Sequence, residues 1–285
     1  MLVGEIWLPD VERFAMYLRP DEMHTAFNFD FMTRPWDAKE LRTAISATLA
    51  AHAPVGAPPT WVLSNHDITR PVTRYGREDS SFDFLKKRFG TPTDLALGER
   101  RSRAAALLTA ALPGSLYIYQ GDELGLPEVE DLPLDAIQDP MHFRSEGVDP
   151  GRDGCRVPLP WTTDGESFGF SDDGSSAPWL PQPEGWGRFS AQAQADDPRS
   201  MLSLYRAALA IRRAEDGVRS AEFAWVELPG ASEDVLAFSR GDGFVSATNF
   251  GVGAVPLPDG AQVLLASTEL DAGQLPSDAS VWFRP

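Results

Sequence analysis

The pattern of apolar and polar residues changes twice along the chain. Up to about residue 125, short apolar runs alternate with amphipathic segments. The runs read as strands are Leu2–Trp7, Ala26–Phe31, Trp61–Ser64 and Ser115–Tyr119. None of them alternates cleanly, which is typical of strands buried on both faces. Because helical segments separate the runs, the pattern predicts parallel strands in one sheet with right-handed crossovers.

Helices are predicted between and after these strands. Asp37 and Glu40 form a capping-box pattern that begins the first helix. Its apolar side chains recur at four-residue spacing at Leu41, Ile45 and Leu49. Further helices are predicted at about 98–112, ending at Pro113 and Gly114, and at about 199–214.

The second half of the chain divides into an irregular segment and a strand-rich module. Residues of about 125–198 are rich in Pro, Gly, Asp, Ser and Trp and show little periodicity. So long an irregular segment inside a domain is often functional when it is ordered. From about residue 218, short apolar runs separated by turns predict a small antiparallel sandwich. We therefore expect two domains, 1–217 and 218–285.

Composition excludes some partners and suggests a compartment. The chain has 285 residues and a formal net charge of −17. An acidic surface repels phosphate backbones and anionic lipids, so we expect neither nucleic acid nor a membrane as partner. One cysteine, Cys155, rules out an internal disulfide. With no secretory leader visible, we expect a cytoplasmic protein.

Polar clusters follow three of the predicted strands. They are Glu5, the Asn-His-Asp run at 65–67 and the Gln-Gly-Asp-Glu-Leu-Gly run at 120–125. Taken singly, each has a structural explanation as a solvated loop residue or a turn former. In an α/β barrel, however, the carboxyl ends of all strands line one face, where active sites are built. Their succession at strand ends therefore predicts one active site.

These motifs resemble glycoside hydrolase family 13, the α-amylase superfamily, and within it the bacterial α-glucosidase and oligo-1,6-glucosidase group. Val-Gly-Glu-Ile-Trp at 3–7 is similar to the fifth-strand motif, and Leu-Ser-Asn-His-Asp-Ile-Thr-Arg at 63–70 to the seventh. The run at 117–127 is similar to the eighth strand and its loop, and the run at 151–161 to a segment that closes the substrate pocket. The resemblance implies strands 5–8 of a (β/α)8 TIM barrel, the C-terminal half, followed by the family's β-sandwich domain C.

The resemblance also implies roles for individual residues. Glu5 matches the general acid/base, and we expect its apolar strand to bury it partly. Asp67 and His66 match residues that bind the sugar. Like Glu5, Asp67 is expected to be a catalytic residue. Arg152 and Arg70 are expected to bind substrate. In the family the counterpart of Arg152 often pairs with an Asp of the N-terminal half. No cofactor is expected, and the sequence shows no recognisable set of calcium ligands.

The family's nucleophilic Asp belongs to a fourth-strand motif that has no counterpart in these 285 residues. We therefore expect a truncated α-glucosidase that is inactive alone, with the missing N-terminal half and an α-glucoside oligosaccharide as partners. The alternatives are a transglucosylase or trehalose-synthase-like enzyme of the same family, and a non-catalytic relative that serves as a sugar-binding or interaction module.

Overall fold

A computed structural model describes residues 1–82, 90–175 and 177–285. The helices in these residues are α1 (Val11–Met16), α2 (Phe29–Thr33), α3 (Ala38–His52), α4 (Pro71–Tyr75), α5 (Leu95–Ala111), α6 (Pro140–Arg144), α7 (Ala191–Gln194), α8 (Met201–Ala214) and α9 (Asp216–Arg219). The strands are β1 (Val3–Gly4), β2 (Thr25–Ala26), β3 (Thr60–Val62), β4 (Ser115–Tyr117), β5 (Ala224–Val226), β6 (Val235–Ser239), β7 (Val245–Asn249), β8 (Val255–Pro256), β9 (Gln262–Ala266), β10 (Gln274–Leu275) and β11 (Ala279–Arg284).

The chain divides into two compact units. The first contains Met1–Leu63, Arg100–Tyr117 and Ala207–Pro285, and the second contains Ser64–Glu99 and Ile118–Arg206. The C-terminal strands thus belong to the same unit as β1–β4. The domain boundary expected near residue 217 stays a prediction.

The strands of the N-terminal part of the first unit form two parallel pairs. β1 pairs with β2, and β3 pairs with β4. Within the described residues, the four strands therefore form two separate two-stranded pairs and not the single continuous parallel sheet that was predicted. Each of these strands is only two or three residues long. Thr25 of β2 and Thr60 of β3 still meet through their hydroxyls, whose oxygens lie 2.6 Å apart.

Two of the predicted strands are wrong in extent. Phe29 and Phe31 lie in α2, because Asn28 caps that helix by accepting a hydrogen bond from the Phe31 amide at 3.0 Å. The run at 2–7 forms only the two-residue β1 and is largely exposed: Leu2 is 60% exposed and Trp7 41%. Within the described residues, β1 has a ladder partner on one side only, so its apolar side chains are left uncovered.

The helix predicted from the capping-box pattern is confirmed. Asp37 caps α3 by accepting a hydrogen bond from the Glu40 amide at 2.9 Å. Leu41 and Ile45 are buried, as their spacing predicts.

The predicted antiparallel module is confirmed as a five-stranded sheet in the order β5-β6-β7-β11-β9. β11 is central and pairs with both β7 and β9. Its Trp282 is fully buried, and the indole nitrogen donates to the Leu107 carbonyl of α5 at 3.1 Å. A separate antiparallel pair joins β8 and β10.

The irregular segment is ordered around an apolar cluster of its own in the second unit. It contains short helical turns, including Asp153–Cys155 and Trp186–Phe189, besides α6 and α7. The buried members of the cluster are Leu124, Leu126, Val129, Val157, Leu159, Leu180 and Trp186. The cluster includes residues of the runs at 117–127 and 151–161, so it helps to fix these two segments. In the described parts of the chain, no helix has the length and apolar content needed to cross a membrane.

One close backbone approach fixes α4, the helix that begins directly after Arg70. Gly98 in the first turns of α5 lies against the Val72 carbonyl, and a Cβ at position 98 would collide with that oxygen. Since the obstacle is backbone, the two helices would have to separate to admit any side chain.

We predict that Gly98→Ala destabilises the protein by about 2 kcal/mol or more. Overpacking costs roughly 1–3 kcal/mol or more, which outweighs the gain of about 1 kcal/mol in helix propensity. Urea unfolding measures the difference. Gly253→Ala is the matched control, because nothing lies within 4 Å of a Cβ there. Equal stabilities of the two variants would contradict the close approach.

Candidate active site

Asp67 is the centre of a charged cluster in the second unit. One of its oxygens, Oδ1, accepts hydrogen bonds from Arg152 Nη1 at 2.9 Å and from Arg156 Nη2 at 3.0 Å. His66 Nε2 lies 3.5 Å from the same oxygen. The Asp67 amide donates to Asn65 Oδ1 at 2.9 Å, which folds the Asn-His-Asp run into a tight turn. The structure thus brings together three predicted site residues, His66, Asp67 and Arg152.

Arg152 is itself held by a second carboxylate, Asp139. Its Nε donates to Asp139 Oδ2 at 2.7 Å and its Nη2 to Oδ1 at 2.9 Å, a bidentate pair. Burial opposes the ionised form of Asp139, but the hydrogen bonds from Arg152 outweigh it, so the pKa of Asp139 is lowered. The same bonds raise the pKa of Arg152. The pair is therefore a fixed ion pair at all ordinary pH values.

Asp139 was missed by sequence reasoning. The sequence predicts at most a helix cap there, since Pro140 follows it, and Asp139 does cap α6 by accepting from the Met141 amide at 3.1 Å. The expected pairing of Arg152 with an Asp of the N-terminal half stays a prediction. Within the described residues, Arg152 pairs with Asp139 and Asp67. Asp153 supports this arrangement by accepting from the Gln138 and Asp139 amides at 2.6 and 2.9 Å.

Arg70 has a structural position. It is 1% exposed, and its guanidinium donates to the carbonyls of Gln120 at 2.9 Å and Cys155 at 2.8 Å. The Arg70 amide donates to Glu128 Oε2 at 2.8 Å. A side chain so buried offers almost no surface to a sugar. We therefore interpret Arg70 as a positioning residue that ties the three motif loops together, and its direct binding of substrate stays a prediction.

Two carboxyl groups lie near Arg70. Asp122 is buried, and burial raises its pKa to about 7, although Arg70 and the hydrogen bond from Ser64 act in the opposite direction. Burial likewise raises the pKa of Glu128 to about 7, against the hydrogen bond from the Arg70 amide. The Ser64 hydroxyl lies 2.7 Å from Asp122 Oδ1. Asp122 therefore anchors the residue that immediately precedes the Asn-His-Asp turn.

Glu5 belongs to the first unit, whereas the other predicted site residues belong to the second. Its side chain is exposed, so the expected partial burial is wrong for this chain. The cause is the short β1, which leaves the flanking residues uncovered. Its acid/base role stays a prediction.

Cys155 is a buried thiol, and burial raises its pKa well above the ordinary value. What it contributes to the site is its backbone carbonyl, which accepts from Arg70 and from the Tyr119 hydroxyl at 2.9 Å. Among the residues that the structure describes, no group of three or more His, Cys, Asp or Glu side chains is arranged to hold a metal ion.

We predict that, as pH rises, the free energy of unfolding of the wild type falls relative to that of Asp122→Asn. The raised pKa means that the native state keeps a proton on Asp122 that the unfolded chain releases near pH 4. Stability is therefore lost as pH rises from about 4 to 7, at up to about 1.4 kcal/mol per pH unit.

Urea unfolding of both proteins at several pH values between 4.5 and 8 measures this slope. Asp135→Asn changes the same charge at an exposed position and should follow the wild-type curve. A constant difference between wild type and Asp122→Asn at every pH would contradict the buried, protonated carboxyl.

Comparison with known proteins identifies the family. The sequence model described as "Alpha amylase, catalytic domain" matches residues 1–221. A probable α-glucosidase of Rhizobium meliloti is 31% identical over 225 residues, which are 78% of this chain and 36% of the relative. The trehalose synthase/amylase TreS of Mycobacterium tuberculosis is 30% identical over 242 residues, 77% of this chain and 36% of the relative.

Solved structures agree with the sequence comparison. The α-glucosyl transfer enzyme XgtA superposes with a TM-score of 0.77 at 28% identity, over 99% of this chain and 50% of XgtA. The chain thus spans about a third to a half of the length of these relatives. With the family's sequence model matching residues 1–221, this chain belongs to the α-amylase family, glycoside hydrolase family 13.

Proposed function

We propose that this chain carries one half of a retaining α-glucosidase site and acts on α-glucosidic bonds of short oligosaccharides. The observation that supports the proposal is the fixed Asp67 carboxylate, with Arg152 and Arg156 on one oxygen and His66 beside it. Such a carboxylate is preorganised to accept hydrogen bonds from sugar hydroxyls. The name of the Rhizobium meliloti relative, a probable α-glucosidase, points to the same substrate class.

The reaction needs two further carboxyl groups, a nucleophile and a proton shuttle, about 5–5.5 Å apart. We assign the shuttle to Glu5. The nucleophile attacks the anomeric carbon while Glu5 transfers its proton to the departing glycosidic oxygen. Glu5 then accepts a proton from water as that water displaces the enzyme carboxylate. Asp67 holds the ring hydroxyls as the sugar flattens toward an oxocarbenium ion.

The nucleophile belongs to a fourth-strand motif that these 285 residues do not contain. We propose that the chain corresponds to strands 5–8 of the barrel with domain C, and that an N-terminal half supplies the nucleophile. The chain alone should then hydrolyse α-glucosides barely above background, because the covalent step has no carboxylate.

A second candidate is transfer of the glucosyl group to a sugar hydroxyl. The XgtA and TreS relatives are named for glucosyl transfer and for trehalose synthesis. The covalent intermediate is the same, and the two outcomes differ in whether water or a sugar attacks it. Product analysis of the reconstituted enzyme with maltose separates hydrolysis from transfer.

We predict that Glu5→Gln discriminates between leaving groups. The chain is co-expressed with the region of the Rhizobium meliloti α-glucosidase that precedes the matched segment, and kcat/KM is measured. The variant should lose roughly 10²–10⁴-fold on maltose, the usual contribution of a general acid. The loss on p-nitrophenyl α-glucoside should be roughly tenfold or less, because its leaving group hardly needs a proton.

Glu12→Gln is the matched control, since Glu12 is an exposed carboxylate of the same unit. Asp67→Asn should lower kcat/KM on both substrates, because Asp67 acts on the sugar ring. Equal losses on both substrates in Glu5→Gln would remove Glu5 from the acid role. Saturable glucose binding without turnover would favour a non-catalytic relative.

A further inference from the structure

Arg156 touches both residues that are expected to hold the sugar. Its Nε donates to the His66 carbonyl at 2.8 Å, and its Nη2 donates to Asp67 Oδ1 at 3.0 Å. A weaker approach, 4.0 Å, joins its Nη1 to Asp153 Oδ1. One planar guanidinium therefore fixes the backbone of the turn and the carboxylate that the turn presents.

We infer that Arg156 is a positioning residue that aims the second oxygen of Asp67 at the substrate. The inference rests on the proposed function and deepens it. Arg152 and Arg156 both donate to Oδ1. Within the described residues, both of these hydrogen bonds go to Oδ1 and none goes to Oδ2. The carboxylate thus has one oxygen occupied by the protein and one that remains to accept from a ligand hydroxyl.

Two donors are needed because one contact leaves a carboxylate able to rotate about its Cβ–Cγ bond. Arg152 reaches Oδ1 with Nη1, while its Nε and Nη2 are held by Asp139. Arg156 adds a second donor that is anchored on the His66 carbonyl. The two guanidiniums together restrict the carboxylate to one orientation before any sugar binds, which lowers the ordering cost of binding.

Geometry also explains why the residue is an arginine. Nε and Nη2 project from the same edge of the planar group and reach two acceptors at once. A lysine can replace the contact with Asp67 or the contact with His66, but it cannot hold both in this geometry. Arg156→Lys is therefore the conservative variant: it keeps the positive charge at position 156 but can keep only one of the two contacts.

The first test is crystallographic and uses the 285-residue chain. In Arg156→Gln, the Asp67 carboxylate should rotate or occupy two conformers. In Arg156→Lys, one contact should persist and the displacement should be smaller. Arg144→Gln, a change at an exposed arginine of the same unit, should leave Asp67 in place. An Asp67 carboxylate in its wild-type position in Arg156→Gln would overturn the inference.

The second test measures coupling to the sugar hydroxyls in the reconstituted enzyme. Arg156→Gln should lower kcat/KM for p-nitrophenyl α-glucoside roughly tenfold to hundredfold, the loss expected for a misplaced charged hydrogen bond. The loss should fall to about threefold or less for the 2-deoxy or the 3-deoxy glucoside, because the hydroxyl that Asp67 holds is absent. Arg156→Lys should recover part of the activity on the parent glucoside.

A role in folding alone would lower kcat/KM equally for all three substrates, and that result would overturn the inference. A wild-type reconstituted enzyme that hydrolyses none of them would contradict the proposed function. The positioning of Asp67 would still be decided by the crystal structures, so the two failures are distinguishable.

Discussion

The second unit depends on a buried cation. The Arg70 guanidinium is almost fully enclosed, and a charge in that position must be compensated by acceptors. The carbonyls of Gln120 and Cys155 provide them, each from a different motif loop. Gly121 lies so close to the guanidinium that an added Cβ would meet Nη1. Loops that are far apart in sequence are thereby held at fixed distances.

The positions of Arg152, Arg156 and Asp67 follow from that framework. The Cys155 loop carries Arg152 and Arg156 on either side, so the hydrogen bond to the Cys155 carbonyl restrains the backbone from which both side chains extend. Asp139 then restrains Arg152 through two hydrogen bonds, and the arginines restrain Asp67. The buried Asp139 carboxylate is paired with Arg152, and breaking a buried pair by removing one partner costs about 3–5 kcal/mol. Such preorganisation is also what electrostatic stabilisation of a transition state requires.

The sequence was informative where a local pattern determines the structure. Asp37 and Glu40 predicted the start of α3 because a cap needs only residues three positions apart. Short apolar runs separated by turns predicted the C-terminal sheet. Phe29 and Phe31 were misassigned to a strand, because their apolar character does not show that Asn28 caps a helix there.

The sequence predicted the motifs of the candidate site but not the hydrogen bonds that connect them. The Asn-His-Asp run and Arg152 were found because their order matches a known family. Asp139 and Arg156 carry no local signal for their roles, since both act on residues far away in sequence. Their contacts depend on how an irregular segment folds around its own apolar cluster, and no periodicity encodes that.

The distribution of charge bears on which ligand suits the site. The chain has a net charge of −17, yet the guanidiniums beside Asp67 both face carboxylates. An acidic protein repels anionic ligands at long range, whereas a neutral molecule feels no such field. At short range, each of these two guanidiniums is already engaged by a carboxylate, which a phosphate would have to displace. A neutral glucoside, recognised by hydroxyl groups that donate to a fixed carboxylate oxygen, meets neither obstacle. Under the proposed function, this arrangement would favour uncharged sugars over sugar phosphates.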